Sequence, residues 1–120
     1  MHEALTFGDL RIQTGDNPLQ FVFLGKSSAR EPLDDLRPHF EAWIADAGAR
    51  GAPLELRFER LDHMNSGTIT ALIFLIDRCE AQRVLLKLVY AKAKKWQRLS
   101  FEALRVFQKE GAPLEVVAIE

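Results

Sequence analysis

Hydrogen-bonding side chains stand close together in the run Asn65-Ser66-Gly67-Thr68, which we call the 65–68 loop and which precedes an apolar stretch. Asparagine and serine are preferred helix N-caps, because their side-chain oxygens accept a hydrogen bond from a free N–H of the first turn. A cap explains these residue types without any further function. A hydroxyl at a helix N-terminus is also a favourable place for a phosphate, since the dipole and free N–H groups stabilise negative charge. The residues alone leave both interpretations open.

The adjacent pair Asp62 and His63 is a second candidate for chemistry, as part of a small enzyme or a ligand-binding module. Neighbours on a loop do not form a catalytic triad, and neither a nucleophile elbow nor a Gly-rich phosphate loop accompanies them. We interpret the pair, together with His2 and His39, as structural or surface residues. Cys79 is the single cysteine, which we expect to be a small buried side chain in a reducing compartment. No spacing of these residue types is typical of a metal site.

Basic residues surround Trp96 between a predicted strand and a predicted helix, at Lys92, Lys94, Lys95 and Arg98. Basic side chains interleaved with an aromatic are found in proteins that bind nucleic acid. The formal net charge of −1 provides no long-range attraction for nucleic acid. We therefore interpret the cluster as a solvated helix start, with a rim contact for a protein partner as the alternative.

The composition is that of an ordinary globular protein, with 48% hydrophobic and 28% charged residues. The apolar runs are too short to span a membrane, and the N-terminal residues lack the pattern of a secretory signal. We expect a cytoplasmic protein that does not insert into a membrane.

The elements that position these residues follow the order ββαβαβαβ. The predicted strands cover residues 5–13, 19–24, 54–58, 83–90 and 114–119, and the predicted helices about 32–47, 68–81 and 94–109. Two strands around a short turn favour an antiparallel hairpin, and helices between apolar strands favour parallel crossovers. The sequence therefore predicts an α/β fold with helices packed on a mixed sheet. We expect a single domain over residues 1–120, with its core at about 5–119.

Helical periodicity predicts which faces point inward. For the second helix the predicted inner stripe is Ile69, Leu72, Ile73, Ile76 and Cys79, while Ala71, Phe74 and Leu75 lie around the other side. A helix that is apolar over more than one face either is well covered or offers a face to a partner. For the third helix the aligned residues are Trp96, Leu99, Ala103, Val106 and Phe107, with Phe101 nearly opposite.

This organisation resembles the STAS fold of bacterial anti-sigma factor antagonists, in which a strand leads into an Asp-Ser-Ser-Gly or Asp-Ser-Thr-Gly loop at a helix start. It is most similar to the SiaC-like family of regulatory phosphoproteins, whose loop begins with Asn and hydroxyl residues and continues to Ile. Asn65 matches that Asn, and Ile69 follows the loop. Gly25-Lys26-Ser27 with Glu31, Pro38 and Trp43 is similar to the family's Gly-x-Ser…Glu…Pro…Trp pattern, and Tyr90 also fits. The resemblance spans roughly residues 20–119.

The resemblance implies that Ser66 is the phosphoacceptor, with Thr68 as a fallback, while Gly67 departs from the hydroxyl residue of the family. It implies a non-enzymatic switch whose unphosphorylated form binds and activates a GGDEF diguanylate cyclase. A GHKL-type serine/threonine kinase would add the phosphate, and a PP2C-type phosphatase would remove it. The predicted partner surface comprises Asn65, Ser66, Gly67, Thr68, Thr70, Ala71 and Phe74.

Two alternatives use the same loop. The chain could be an anti-sigma factor antagonist that binds an anti-sigma kinase, or the switch could be degenerate and the domain only a scaffold.

Overall fold

The structure is a computed structural model that describes residues 2–120. Its strands are β1 (Leu5–Phe7), β2 (Leu10–Thr14), β3 (Gln20–Ser27), β4 (Leu54–Arg57), β5 (Leu61–Met64), β6 (Leu86–Ala91) and β7 (Leu114–Ile119). Its helices are α1 (Pro32–Arg50), α2 (Ser66–Gln82) and α3 (Lys95–Leu104), and a 3-10 turn at Arg105–Phe107 follows α3. Among the described residues, no helix combines the length and apolarity that a membrane crossing requires.

One mixed sheet contains all of these strands in the order β1-β2-β3-β4-β6-β7, and β5 pairs with β3. β1, β2 and β3 are antiparallel, whereas β3, β4, β6 and β7 are parallel. The predicted α/β fold with a hairpin and parallel crossovers is confirmed. Gly8, with φ +59°, turns the chain between β1 and β2, which the sequence predicted as one strand. Residues 61–64, predicted as a loop, form β5.

The helices cover one face of the sheet because alternate strand residues are large and apolar. Trp43 of α1 stacks on Phe21 with ring centroids 3.9 Å apart, and Phe101 of α3 packs on Phe58 at 4.8 Å. The other face carries charged residues. There Lys87 of β6 is half-exposed and lies 3.9 Å from Glu115.

Helix α1 begins at Pro32, which occupies the first helical position, and Glu31 caps the helix without a side-chain hydrogen bond. The helix continues through the exposed Pro38 to Arg50, and its C-cap is Gly51 in the left-handed conformation, with φ +62°.

Helix α2 is rotated relative to the predicted stripe. Ala71 and Leu75 are fully buried, whereas Ile69 and Ile73 are only half-buried. The neighbouring helix α1 explains this rotation, because it packs along α2 and covers one side of it. Arg78 also donates to the Glu41 carboxylate of α1, at 3.0 and 3.2 Å.

Helix α3 faces the opposite way from the prediction. Its buried residues are Gln97, Phe101 and Leu104, while Leu99 and Val106 are 63% and 66% exposed. Phe101 fills the space above the sheet, where its ring stacks on that of Tyr90 at 5.4 Å. The aligned apolar residues that the sequence placed in the core therefore lie mostly on the surface.

Candidate functional site

Asn65 caps α2 and holds the 65–68 loop against the end of β3. Its Oδ1 accepts a hydrogen bond from the Thr68 N–H at 2.9 Å. Its amide nitrogen donates to the Ala29 carbonyl at 2.9 Å, and its backbone N–H donates to the Ser27 carbonyl at 3.0 Å. The predicted cap is confirmed, with Asn65 rather than Ser66 as the capping residue.

The two hydroxyls of the 65–68 loop have opposite environments. Thr68 is fully buried, and its Oγ1 lies 2.7 Å from the Ser27 hydroxyl. The Thr68 hydroxyl also donates to Asn65 Oδ1 at 2.8 Å. A kinase cannot reach Thr68 in this fold, so the prediction of Thr68 as a fallback phosphoacceptor is corrected.

Ser66 occupies the first position of α2 and is exposed. No hydrogen bond among residues 2–120 involves its hydroxyl, and no Asp or Glu lies in the first turn of α2. Because the first N–H groups of a helix have no carbonyl partner within it, those of Ser66 and Gly67 remain available to a negative charge. The site can therefore accommodate a phosphate on Ser66, whose phosphorylation stays a prediction.

Gly67 lies close to a neighbour that the sequence gave no reason to place there. A Cβ atom at Gly67 would lie 3.0 Å from Pro32 Cδ and 3.2 Å from Pro32 Cγ. The absence of a side chain lets the start of α1 contact the start of α2. The contact with Pro32 thus explains why this chain has a glycine at position 67, where the family has a hydroxyl residue.

The predicted partner surface on α2 is narrower than expected. Ser66 and Thr70 are exposed, and Phe74 is half-buried. Because they are spaced by four residues, all three lie on one side of the helix. Ala71 is fully buried, and its assignment to the partner surface is wrong. The Arg37 guanidinium lies over the Phe74 ring, 5.0 Å from its centroid, and is a surface residue that the sequence did not indicate.

Ser27 is the residue of this site that the sequence reasoning missed. It is 2% exposed and bonds Thr68 across the junction of β3 and α2. The sequence did give one indication of Ser27, because the Gly25-Lys26-Ser27 run is similar to the family's Gly-x-Ser pattern. That similarity alone suggested no role for Ser27. Buried hydroxyl pairs of this kind fix the position of a loop because each group satisfies the other.

The histidines do not form a catalytic arrangement. Asp62 and His63 are exposed neighbours in β5, where successive side chains point to opposite faces. The Nε2 atom of His2 lies 3.0 Å from the Asp46 carboxylate. Among the described residues, no group of His, Cys, Asp and Glu could hold a metal ion. Burial raises the pKa of the Cys79 thiol to about 12, so this residue is not a nucleophile.

Similar folds occur among solved structures. No protein-family model and no curated protein matches the chain. A chain in the crystal structure of diguanylate cyclase SiaD in complex with its activator SiaC from Pseudomonas aeruginosa matches with a TM-score of 0.65 and 21% identity, over 97% of this chain and 98% of that one. Apo-SiaC from the same organism matches with a TM-score of 0.61 and 19% identity, over 98% and 100%.

An uncharacterised DUF3478 protein from Shewanella loihica, described as having a SpoIIAA-like fold, matches with a TM-score of 0.54 and 16% identity, over 92% of this chain and 84% of that one. At these identities the matches show the fold. The predicted STAS-like, SiaC-like architecture is confirmed.

Proposed function

We propose that this chain is a non-enzymatic regulatory phosphoprotein that binds a partner in its unphosphorylated form and is switched by reversible phosphorylation of Ser66. The observation that carries the proposal is the separation of the two loop hydroxyls. Ser66 is exposed at the first position of α2, while Thr68 is fully buried in a hydrogen-bonded network. One hydroxyl holds the loop in place, and the other is accessible to an enzyme.

The switch acts on the partner more than on the fold. A phosphate adds a charge of about −1.5 to −2, which the N-terminus of α2 tolerates because of the helix dipole. No carboxylate in the first turn of α2 opposes it. The same charge lies next to Thr70 and Phe74. It repels negative charge on a docked partner, and the phosphate must lose its hydration when the partner covers it. The affinity for the partner therefore falls while the domain stays folded.

The partners follow from the resemblance. SiaC is described as the activator of the diguanylate cyclase SiaD, and the shared fold supports a GGDEF diguanylate cyclase as the regulated partner here. A GHKL-type serine/threonine kinase would phosphorylate Ser66, and a PP2C-type phosphatase would reverse the reaction, all in the cytoplasm.

Phosphopeptide mass spectrometry tests the acceptor. The purified chain is incubated with ATP and the GHKL-type kinase encoded near its gene, and we expect one phosphate, on Ser66. Ser66→Ala should abolish it. Ser28→Ala is the matched control, because Ser28 is another exposed serine, one residue before the Ala29 carbonyl that Asn65 binds. A phosphate on Thr68 or Ser28 in the folded chain contradicts the proposed site.

Binding measurements test the switch. We expect Ser66→Asp to weaken binding of the cyclase about tenfold or more, corresponding to ~1.4 kcal/mol or more, while Ser28→Asp leaves binding unchanged. If the chain instead binds an anti-sigma kinase in a Ser66-dependent way, it is an anti-sigma factor antagonist. If Ser66→Asp changes the binding of neither partner, the loop is a scaffold and the proposal fails.

A further inference from the structure

Helix α3 and the following 3-10 turn present an apolar ridge that lies mostly outside the core. The ridge consists of Trp96, Leu99, Ala103 and Val106, of which Trp96 is half-buried against the core and the other three are exposed. Leu99 and Val106 are two of the three exposed large hydrophobic residues among residues 2–120. Spacings of three, four and three residues place such side chains in one line, as along the seam of a coiled coil.

A basic row runs beside this ridge. Its positions are Lys95, Arg98, Glu102 and Arg105, so three of the four residues are cations. Arg98 donates to the Lys92 carbonyl at 3.0 Å, and the exposed Arg105 donates to the hydroxyl of the buried Tyr90 at 3.4 Å.

The charges of this row do not stabilise α3 through its helix dipole. Lys95 and Arg98 lie in the first turn, where the positive end of the helix dipole disfavours cations. No acidic residue in that turn compensates for them.

We propose that the α3 ridge docks an amphipathic helix of a partner protein, one whose apolar seam is bordered by acidic residues. The ridge is one residue wide, which fits a helix, whereas adsorption to a membrane uses a broad apolar face. A second copy of the chain would bring two basic rows together, and like charges across a helix seam are destabilising. The surface is separate from the Ser66 face of α2, and the inference does not depend on phosphorylation.

Two synthetic two-heptad peptides test the proposal. Both carry leucine at the seam positions and a lactam bridge on the outer side to hold the helix, and their flanks are either all glutamate or all lysine. Amide chemical shifts of the ¹⁵N-labelled chain report binding. We expect the acidic peptide to shift residues 95–107, to bind about tenfold more tightly than its basic twin, and to weaken as salt is raised.

Surface variants locate the contact. Leu99→Glu combined with Val106→Glu should abolish binding, and Val117→Glu is the control because Val117 is the third exposed large hydrophobic, on β7. Lys95→Glu combined with Arg98→Glu should invert the preference between the peptides. Equal binding of both peptides, shifts confined to other elements, or binding only to anionic phospholipid vesicles would overturn the proposal.

Discussion

Helices α2 and α3 both begin where a strand of the sheet ends, yet their starts are held in different ways. Asn65 caps α2 locally, since its side chain accepts the Thr68 N–H. At the start of α3, Lys94 makes no capping hydrogen bond with its side chain. Instead, the buried Gln97 side chain accepts from the Ala91 N–H at 2.7 Å and donates to the Phe58 and Leu61 carbonyls at 2.5 and 3.0 Å.

This difference determines what each start tolerates. The cap of α2 uses Asn65 and Thr68 and leaves Ser66 outside the network, so a charge added to Ser66 disturbs no hydrogen bond. The start of α3 is fixed from inside by one side chain that satisfies three backbone groups of β6 and of the 58–61 segment. The contrast predicts that the start of α2 is stabilised by a local cap, whereas the start of α3 depends strongly on the buried Gln97.

The largest effect is expected for Gln97→Leu. Leucine keeps most of the volume but leaves the Ala91 N–H buried without its acceptor, at about 1–3 kcal/mol. It also removes one of the two donors of each carbonyl, since Phe58 keeps the Leu61 N–H and Leu61 keeps the Lys94 ammonium. We expect a loss of about 2–4 kcal/mol in the free energy of unfolding, measured by urea denaturation. Gln108→Leu is the matched control, because the exposed Gln108 accepts only the Val116 N–H and should cost about 1 kcal/mol or less. Equal losses would show that Gln97 has no special role.

The role of Gln97 could not be predicted from the sequence. Strand alternation and turn residues indicated the sheet, and the Asn-Ser pair before an apolar run indicated the cap, because these signals are local. On α3, both sides of the helix carry large apolar residues, so periodicity alone did not identify the inner side. Phe101 was the signal that the predicted stripe left unexplained, and its contact with Phe58 explains it.

The same limit applies to the candidate site. Ser66 and Asn65 were recognisable from residue types, but the accessibility of each hydroxyl depends on β3 and α1. Ser27 buries the Thr68 hydroxyl, and the packing of α1 against α2 covers Ala71. These contacts join residues far apart in the sequence, and no local pattern encodes them.

Gly67→Ala tests how closely the start of α2 is packed. Alanine in a helix is normally favoured over glycine by about 1 kcal/mol, but here its Cβ would crowd Pro32. We expect the substitution to lower stability by about 1–2 kcal/mol. In a Pro32→Ala background it should instead be neutral or stabilising, and the double-mutant cycle measures this coupling. If Gly67→Ala raised stability in both backgrounds, the start of α1 would be able to move away from the added Cβ at little cost.

Neighbouring substitutions separate the cap from the accessible hydroxyl. Asn65→Ala removes the cap and two further hydrogen bonds of its side chain, and we expect it to cost about 1–2 kcal/mol. Ser66→Ala should change stability by less than about 0.5 kcal/mol, because the Ser66 hydroxyl makes no hydrogen bond in the described chain. Urea denaturation of both variants measures the difference. A large loss for Ser66→Ala would contradict the separation of roles on which the proposed switch depends.

The smallest expected effect concerns the charge at the two helix starts. Lys95→Glu replaces a cation with an anion at the first position of α3, which should raise stability by about 0.3–1 kcal/mol at low salt. Ser66→Glu should have the same sign at α2, and Ser66→Lys the opposite sign. Because exposed charges are screened, these differences should disappear near ~1 M salt. A loss of stability for Lys95→Glu would show that Lys95 contributes to the fold, and the basic row of α3 would then need no partner to explain it.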